Sequence, residues 1–191
     1  MSKREQILTA ALKLFMENGF EKTPTSAISK VAEVATGTLF HHFKTKEDLI
    51  STLYFEIKME VRDHLFSDFD ETADLKVNLQ GTAVSMVDWS LENPDKFQFL
   101  AQFGESSLIP SNTRERVEAA FESLNILLQK GAANNTFHDV PEELMLRLMS
   151  AHLFAGVGYL LENPESWQNA TLRSAFLESF WNIIAKVDHK E

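Results

Sequence analysis

The sequence predicts an all-α fold, and three observations carry that prediction. Glycine and proline are sparse, seven and five in 191 residues, so the chain holds few of the residues that punctuate short strands and turns. No Val/Ile/Thr-rich run alternates apolar and polar residues between turn signals, as a half-buried strand would. Apolar residues recur instead at three- and four-residue spacing. A hydrophobic content of 44% with 10% aromatics is ample for a packed core. The expected architecture is a three-helix N-terminal unit joined by a long helix to a larger helical bundle, about nine helices in all.

The first helix shows one buried face in Ile7, Ala11, Leu14 and Phe15, stops at Asn18-Gly19, and lets Phe20 turn back toward that face. The second is expected to begin at "TPTS", with Thr23 capping free N–H groups and Pro24 in the first helical position, where its missing N–H costs nothing. Its inner stripe is Ile28, Val31 and Ala32. After a tight connection at Glu33-Val34, a third helix of about two turns runs over 36–42, with Leu39 and Phe43 inward at i and i+4. A fourth begins after Thr45, a cap residue followed by Lys46-Glu47-Asp48, whose acids suit the positive end of the helix dipole, and it buries Leu49, Leu53 and Ile57.

Breaks then fall at residues 70–74, Asn93-Pro94, Ile109-Pro110, Asn134-Asn135 with Pro141, and Asn163-Pro164. Between and after them lie five further expected helices, 75–92, 94–104, 112–133, 141–162 and 172–187. The expected domain division is 1–46 and 47–191.

Several chemistries are excluded by composition. Without cysteine there is no disulfide framework, cysteine zinc site, thiol nucleophile or iron–sulfur cluster. The N-terminus lacks the apolar run and cleavage site of a secretory signal, and the apolar tract "LMSAHLFAGVGYLL" at 148–161 is shorter than the roughly 20 residues of a membrane span. A soluble, cytoplasmic chain with no membrane partner is therefore expected. The net charge of −10 is unevenly placed: residues 1–50 hold seven Lys or Arg against six Asp or Glu, and residues 51–191 hold 11 against 22. The N-terminal part is thus free of the acidity that would repel a polyanion.

Two helices joined by a very short turn, the second only two turns long, have the geometry of a helix-turn-helix, whose second helix enters a major groove. With Leu39 and Phe43 buried, Gly37 and His41 point away from the core, flanked by Thr38 and Phe40. The hydroxyls of Thr36 and Thr38 and the imidazoles of His41 and His42 suit phosphates or base edges, and Lys46 is placed to neutralise a phosphate. A metal pair is not expected from His41-His42, since adjacent helical residues do not face together. His138-Asp139 reads as a loop pair and His152 as a bundle histidine. "AGVGYL" at 155–160 lies in a helical tract with no preceding strand, so it is no dinucleotide loop, and Ala151, Ala155 and Gly158 are expected to allow close helix approach.

The stretch "ILTAALKLFMENGFEKTPTSAISKVAEVATGTLFHHFKTKEDL" resembles the DNA-binding domain of the tetracycline-repressor-like (TetR) family of regulators, over residues 7–53. The resemblance implies a homodimer, each subunit carrying a helix-turn-helix domain and a helical domain for ligand binding and dimerisation. It implies operator contacts from Thr25, Ser26, Thr36, Gly37, Thr38, Phe40, His41 and His42, with Lys46 at the family's phosphate-contacting lysine. Three residues depart from the family pattern. Glu33 stands where glycine is usual, so a left-handed backbone there would cost about 1 kcal/mol. Ala35 replaces a Ser or Thr cap, which leaves Thr36 to cap, one residue along. Phe40 lacks the hydroxyl of the usual tyrosine.

The two most apolar helical tracts, 148–161 and "LRSAFLESFWNII" at 172–184, are expected to form the dimer contact about a two-fold axis. Met59, Met86, Trp89, Phe97, Phe99, Phe103, Phe121 and Phe154 are the candidates to line a pocket for a small apolar or aromatic effector. No cofactor motif is present, and no nucleophile–base–acid spacing points to an enzyme. The expected function is a ligand-responsive repressor of transcription. The alternative is a helical module for small molecules or lipids whose N-terminal unit is degenerate for DNA.

Overall fold

A computed structural model describes residues 1–67, 69, 70 and 72–186. Among the described residues are ten α-helices, one 3-10 helix and no strand, only an isolated antiparallel bridge between Phe137 and Ala185. The chain divides into two compact units, Met1–Glu60 with Asn93–Ala119, and Val61–Glu92 with Ala120–Glu191.

The first unit opens with α1 (Lys3–Asn18), started by a reciprocal cap in which Ser2 N–H donates to Glu5 Oε2 at 2.7 Å and Glu5 N–H to Ser2 Oγ at 3.2 Å. Ile7, Ala11 and Phe15 are fully buried on it, as the spacing predicts. Gly19 ends the helix at φ 77°, a left-handed conformation glycine takes without cost, and the Phe20 ring folds back to 5.4 Å from that of Phe15. In α2 (Thr25–Val31) the cap residue is Pro24 and no side chain caps the helix. Thr23 is not the cap expected: its hydroxyl is buried and donates backward, to Gly19 O at 2.7 Å or Leu14 O at 3.1 Å. Carbonyls of the helix just ended compete successfully for the hydroxyl proton.

Then come α3 (Thr36–His42) and α4 (Lys46–Leu65), the latter capped as expected by Thr45 Oγ, which accepts from Asp48 N–H at 3.0 Å. The first unit also holds α6 (Pro94–Phe103) and α7 (Ser111–Ala120) up to Ala119. Arg114 caps the C-terminal end of α6 by donating to the carbonyls of Gly104 and Ser106. Lys96 pairs with Glu60 at 2.6 Å, and Ser51 Oγ meets Thr113 Oγ1 at 2.8 Å, so α4 is tied to both later helices.

The single helix expected over 112–133 is two, α7 and α8 (Glu122–Ala133), separated at Phe121 with φ −100° and ψ 21°. Neither proline nor glycine marks the break. The Phe121 ring packs edge-on to Phe66, 6.3 Å between centroids, and that packing overrides the helical propensity of Glu118, Ala119 and Ala120.

In the second unit, α5 (Leu75–Glu92), α8, α9 (Glu142–Glu162) and α10 (Ala170–Ile184) enclose a core of Leu79, Ala83, Leu127, Leu128, Phe137, Met145, Met149, Phe180 and Ile184. The end of the helix expected over 172–187 falls on Val187, outside the described residues, and α10 begins two residues early because Asn169 Oδ1 accepts from the N–H groups of Thr171 and Leu172. The 3-10 helix Pro164–Gln168 seats Trp167, whose indole N–H donates to Asp88 Oδ1 at 2.6 Å. Two glycines permit close approach. A Cβ on Gly131 would lie 2.1 Å from the Phe137 ring, and one on Gly156 would lie 2.2 Å from Phe176. Within the chain the close contact is thus made by Gly156 and not by Ala151, Ala155 or Gly158; both alanines are exposed, and a Cβ on Gly158 would meet nothing.

The tract 148–161 is shorter than a membrane span, as expected, but it lies within the 21-residue α9, which by length and composition alone holds an apolar stretch long enough to cross a membrane. The helix extends that tract at its start by Glu142 to Arg147, which include Leu144, Met145 and Leu146, and at its end by Glu162. The apolar character is partly outward: Leu144, Leu148 and Tyr159 are 44%, 42% and 51% exposed, in line with Ala151 and Ala155.

His152 links α9 to α10. Ser179 Oγ donates its one proton to Phe176 O at 2.8 Å, so His152 Nε2 is the donor in its 2.8 Å bond to that hydroxyl. Nδ1 is buried without a partner, and the imidazole ring lies beside those of Phe176 and Phe180, with ring centroids 4.7 and 5.7 Å apart. Burial lowers the imidazole pKa from its ordinary 6.5 because a second ring proton would be desolvated there. The unfolded chain then binds the proton more readily, so the stabilisation is complete above pH 6.5 and is lost as pH falls toward the lowered folded value. His152→Gln keeps a donor for Ser179 and removes the titration. Urea midpoints measured from pH 7.5 to 5.5 should fall less for the variant than for the wild type; parallel profiles would contradict this account.

Candidate nucleic-acid interface

The short α3 is held by two side chains one turn apart. Leu39 is fully buried and Phe43 is 2% exposed, while Thr36, Gly37, Phe40, His41 and His42 are exposed and Thr38 is half-buried. The sequence-predicted reading face is therefore on the outside of its unit. On α2, Ser26 is exposed and Thr25 half-buried, with the Thr25 carbonyl accepting from the buried Ser29 hydroxyl at 2.9 Å. A Cβ on Gly37 would meet no atom within 4 Å, so the glycine leaves backbone open on the outer side and serves no internal packing.

Ala35, and not Thr36, is the cap residue of α3, with Thr38 N–H donating to Ala35 O at 2.8 Å. Extended backbone at Ala35, φ −65° and ψ 145°, starts the helix without a side-chain cap, so there is no shift of register. Glu33 adopts the left-handed conformation that the family glycine takes without cost, φ 53°, and the turn is closed by Glu33 N–H to Lys30 O at 3.2 Å and Val34 N–H to Ser29 O at 3.0 Å. At the other end of α3 the His41 and His42 rings meet edge-on at 5.4 Å. Phe40 is 40% exposed, an aromatic face offered where a tyrosine hydroxyl would sit.

The two lysines after α3 face different surroundings. The Lys46 ammonium donates to Phe20 O at 2.8 Å and Thr23 O at 3.2 Å and lies over the Phe20 ring, 4.2 Å from its centroid. Lys44, not singled out from sequence, is exposed, and its peptide N–H is held by Asp48 Oδ2 at 3.0 Å. The signal that would have found it is its place in "HHFKTKEDL", two residues past the end of α3.

Of the residues expected to line an effector site, the first unit buries Phe97, Phe99 and Phe103, with the Phe99 and Phe103 rings tilted at 41° and 5.0 Å apart, and leaves Met59 half-buried. The second unit buries Met86 and Trp89 and leaves Phe121 and Phe154 half-buried. A cleft of about 370 Å³ in the second unit is lined by other residues, among them Leu128, Phe137, His138, Glu142, Met145 and Lys186. Among the described residues no group of three or more His, Asp or Glu is arranged to hold a metal.

An all-helical chain whose N-terminal unit offers an exposed two-turn helix after a tight turn is a helix-turn-helix protein. The family model for bacterial regulatory proteins of the tetR family matches residues 7–53. A solved tetR family transcription regulator from Shewanella sp. PV-4 is 32% identical, with 98% of this chain and 100% of that one covered and a TM-score of 0.92. The chain belongs to the TetR family of transcription regulators. The fatty acid metabolism regulator protein of Bacillus subtilis (strain 168) is 36% identical over 77 residues, 40% of each chain, so this match spans well under half of that curated relative. The structure of FadR from B. subtilis in complex with stearoyl-CoA shares the fold at a TM-score of 0.70 and 22% identity, over 92% of this chain and 96% of that one.

The turn makes a prediction of its own. Glu33→Gly should raise folding stability by up to about 1 kcal/mol, since glycine takes positive φ without steric cost. Urea denaturation of the two proteins at equal pH measures it, and a variant no more stable than the wild type would contradict the cost assigned to Glu33.

Proposed function

We propose that this protein is a dimeric, cytoplasmic repressor released from operator DNA by a small apolar or aromatic effector. The observation that carries the reading is α3, fastened inward by Leu39 and Phe43 while Thr36, Gly37, Phe40, His41 and His42 face solvent. These side chains, with Thr38, Thr25, Ser26 and Lys46 at the start of α4, are the proposed DNA contacts. The functional division proposed is 1–46 for DNA and 47–191 for ligand and dimer. No catalytic role is assigned.

The dimer is supported by the outward stripe Leu144, Leu148, Ala151, Ala155 and Tyr159 on α9, a surface too apolar to be left in water, with small residues that let a second copy approach closely. The effector proposal rests on the Met-, Trp- and Phe-rich composition of Met59, Met86, Trp89, Phe97, Phe99, Phe103, Phe121 and Phe154. Effector binding tilts α4 and changes the separation of the two reading helices, so that they no longer fit successive major grooves. A hundredfold loss of operator affinity requires about 2.7 kcal/mol of coupling.

Footprinting on the DNA flanking its own gene, followed by titration with and without aromatic compounds and fatty acyl-CoA, tests the reading. Protection of a two-fold symmetric site that an effector weakens is expected; binding of such ligands with no DNA affinity would favour the helical ligand-carrying module instead. Thr38→Ala and His41→Ala should change base preference, by about 1–3 kcal/mol for each side chain that reads a base edge. Leu148→Arg should convert the dimer to monomer in sedimentation at micromolar concentration and weaken operator binding. A wild type already monomeric there would remove the dimer from the proposal.

A further inference from the structure

We infer that the reading helix meets DNA with charge it acquires on contact: His41 and His42 take up protons from solvent when the phosphates of a duplex come beside them, so affinity for DNA rises as the medium becomes more acidic. The inference rests on the DNA-binding reading above and deepens it, by naming the charge state in which α3 binds.

Permanent charge gives α3 little hold on a polyanion. The helix includes no lysine or arginine, and residues 1–50 hold seven Lys or Arg against six Asp or Glu in a chain of net charge −10. The imidazoles of His41 and His42 are the side chains of this helix that can add positive charge, because histidine changes its charge roughly between pH 5 and 8. Both lie in the last turn, where the helix dipole favours a cation.

Nothing within the chain holds those protons in advance. Both side chains are exposed, and among the described residues neither ring takes part in a hydrogen bond or an ion pair. The rings lie 5.4 Å from each other, and that of His42 lies 6.3 Å from Phe43. No charged group of the neighbouring elements bonds to them. On α1, Glu5 accepts from Ser2 N–H, Lys13 pairs with Glu17 at 4.0 Å, Arg4 pairs with Glu56 of α4, and Lys3 is exposed. Lys30 ends α2, and Glu33 stands in the turn at the far end of α3. Past the helix, Asp48 accepts the N–H of the exposed Lys44, Lys46 donates to Phe20 O and Thr23 O, and Glu47 is exposed in the first turn of α4. A DNA phosphate supplies the opposite charge that the chain does not, and such a neighbour favours the protonated imidazole. With the two rings so close, the first proton opposes the second, so uptake in each subunit begins with one.

Calorimetric titration of the full-length protein with a duplex carrying the DNA that flanks its gene, run at pH 7 in two buffers of different ionisation enthalpy, counts the protons exchanged. The wild type should take up protons on binding. Fluorescence anisotropy with the same duplex labelled, from pH 8 to pH 6, should show affinity rising by up to about tenfold per pH unit for each proton taken up. Over that range the slope of log affinity against log salt should steepen by up to about 0.9 for each imidazolium that meets a phosphate. The double variant His41→Gln, His42→Gln, which keeps a side-chain donor at both positions, should lose the uptake and bind with an affinity that no longer follows pH. Acid loosening of the fold through His152 acts in the opposite sense, weakening binding as pH falls, and thermal melts at each pH separate the two effects. A wild type that binds DNA without taking up protons, or a double variant whose uptake equals that of the wild type, overturns the inference and leaves the DNA-binding reading standing. If the double variant no longer binds, the proton counts of the wild type and of the two single variants decide in the same way. A wild type with no affinity for the duplex at any pH in the range overturns the reading and the inference together.

Discussion

A helix of seven residues does not persist in water, because nucleation costs more than two turns of hydrogen bonds return. Everything in the DNA-binding unit depends on the way α3 escapes that limit. Leu39 and Phe43 lie one turn apart on its inner side and are buried with Ile7, Ala11, Phe15 and Ile28 of the same unit. Burying two such side chains contributes about 1.5–3 kcal/mol each, enough to hold a short segment helical. Because the anchor is apolar and internal, the opposite side is free to carry glycine, threonine and histidine, which packing does not constrain.

The connections on either side of α3 are built from backbone conformation and caps. Glu33 holds a left-handed turn that a carboxylate side chain does not favour, and the turn persists because Ile28 and Leu39 are buried on either side of it. Past α3, Thr45, Asp48 and Lys44 form a compact cap that starts α4 within three residues. Lys46 then directs its charge inward, onto the carbonyls of Phe20 and Thr23. A small number of hydrogen bonds to non-helical backbone thus orients a reading helix far too short to orient itself.

The second unit solves a different problem, the packing of long apolar helices with one side left over. Phe137 and Phe176 each occupy space that only a glycine opposite them can leave, at Gly131 and Gly156. The extended segment of Phe137 and His138 pairs with the end of α10 through His138 N–H to Ile184 O and Lys186 N–H to Thr136 O, which closes the bottom of the core. On α9 the exposed stripe of leucine, alanine and tyrosine remains, apolar on a surface facing out of its own unit. The high mean hydropathy of that helix is the sum of a buried face and this outward one.

Much of the fold was legible from residue order alone, for local reasons. Helix starts and stops at Asn18-Gly19, Thr45, Asn93-Pro94 and Asn163-Pro164 follow from caps and from residues that cannot continue a helix, and the inward positions of Leu39, Phe43, Leu49, Leu53 and Ile57 follow from a period of 3.6. The exposed face of α3 followed in turn, since burying one side of so short a helix exposes the other. Tertiary structure alone decided where hydrogen-bond donors with several acceptors in reach would go. Thr23 turned to carbonyls of α1 and its end instead of capping α2, and Lys46 donated to Phe20 O and Thr23 O, more than twenty residues earlier in the chain. The break at Phe121 belongs to the same class, because an aromatic ring's partner, here Phe66, lies 55 residues away and leaves no mark in the local sequence. Periodicity and caps act within a turn or two of chain and are therefore written in it; the choice among competing long-range partners exists only once the helices have met.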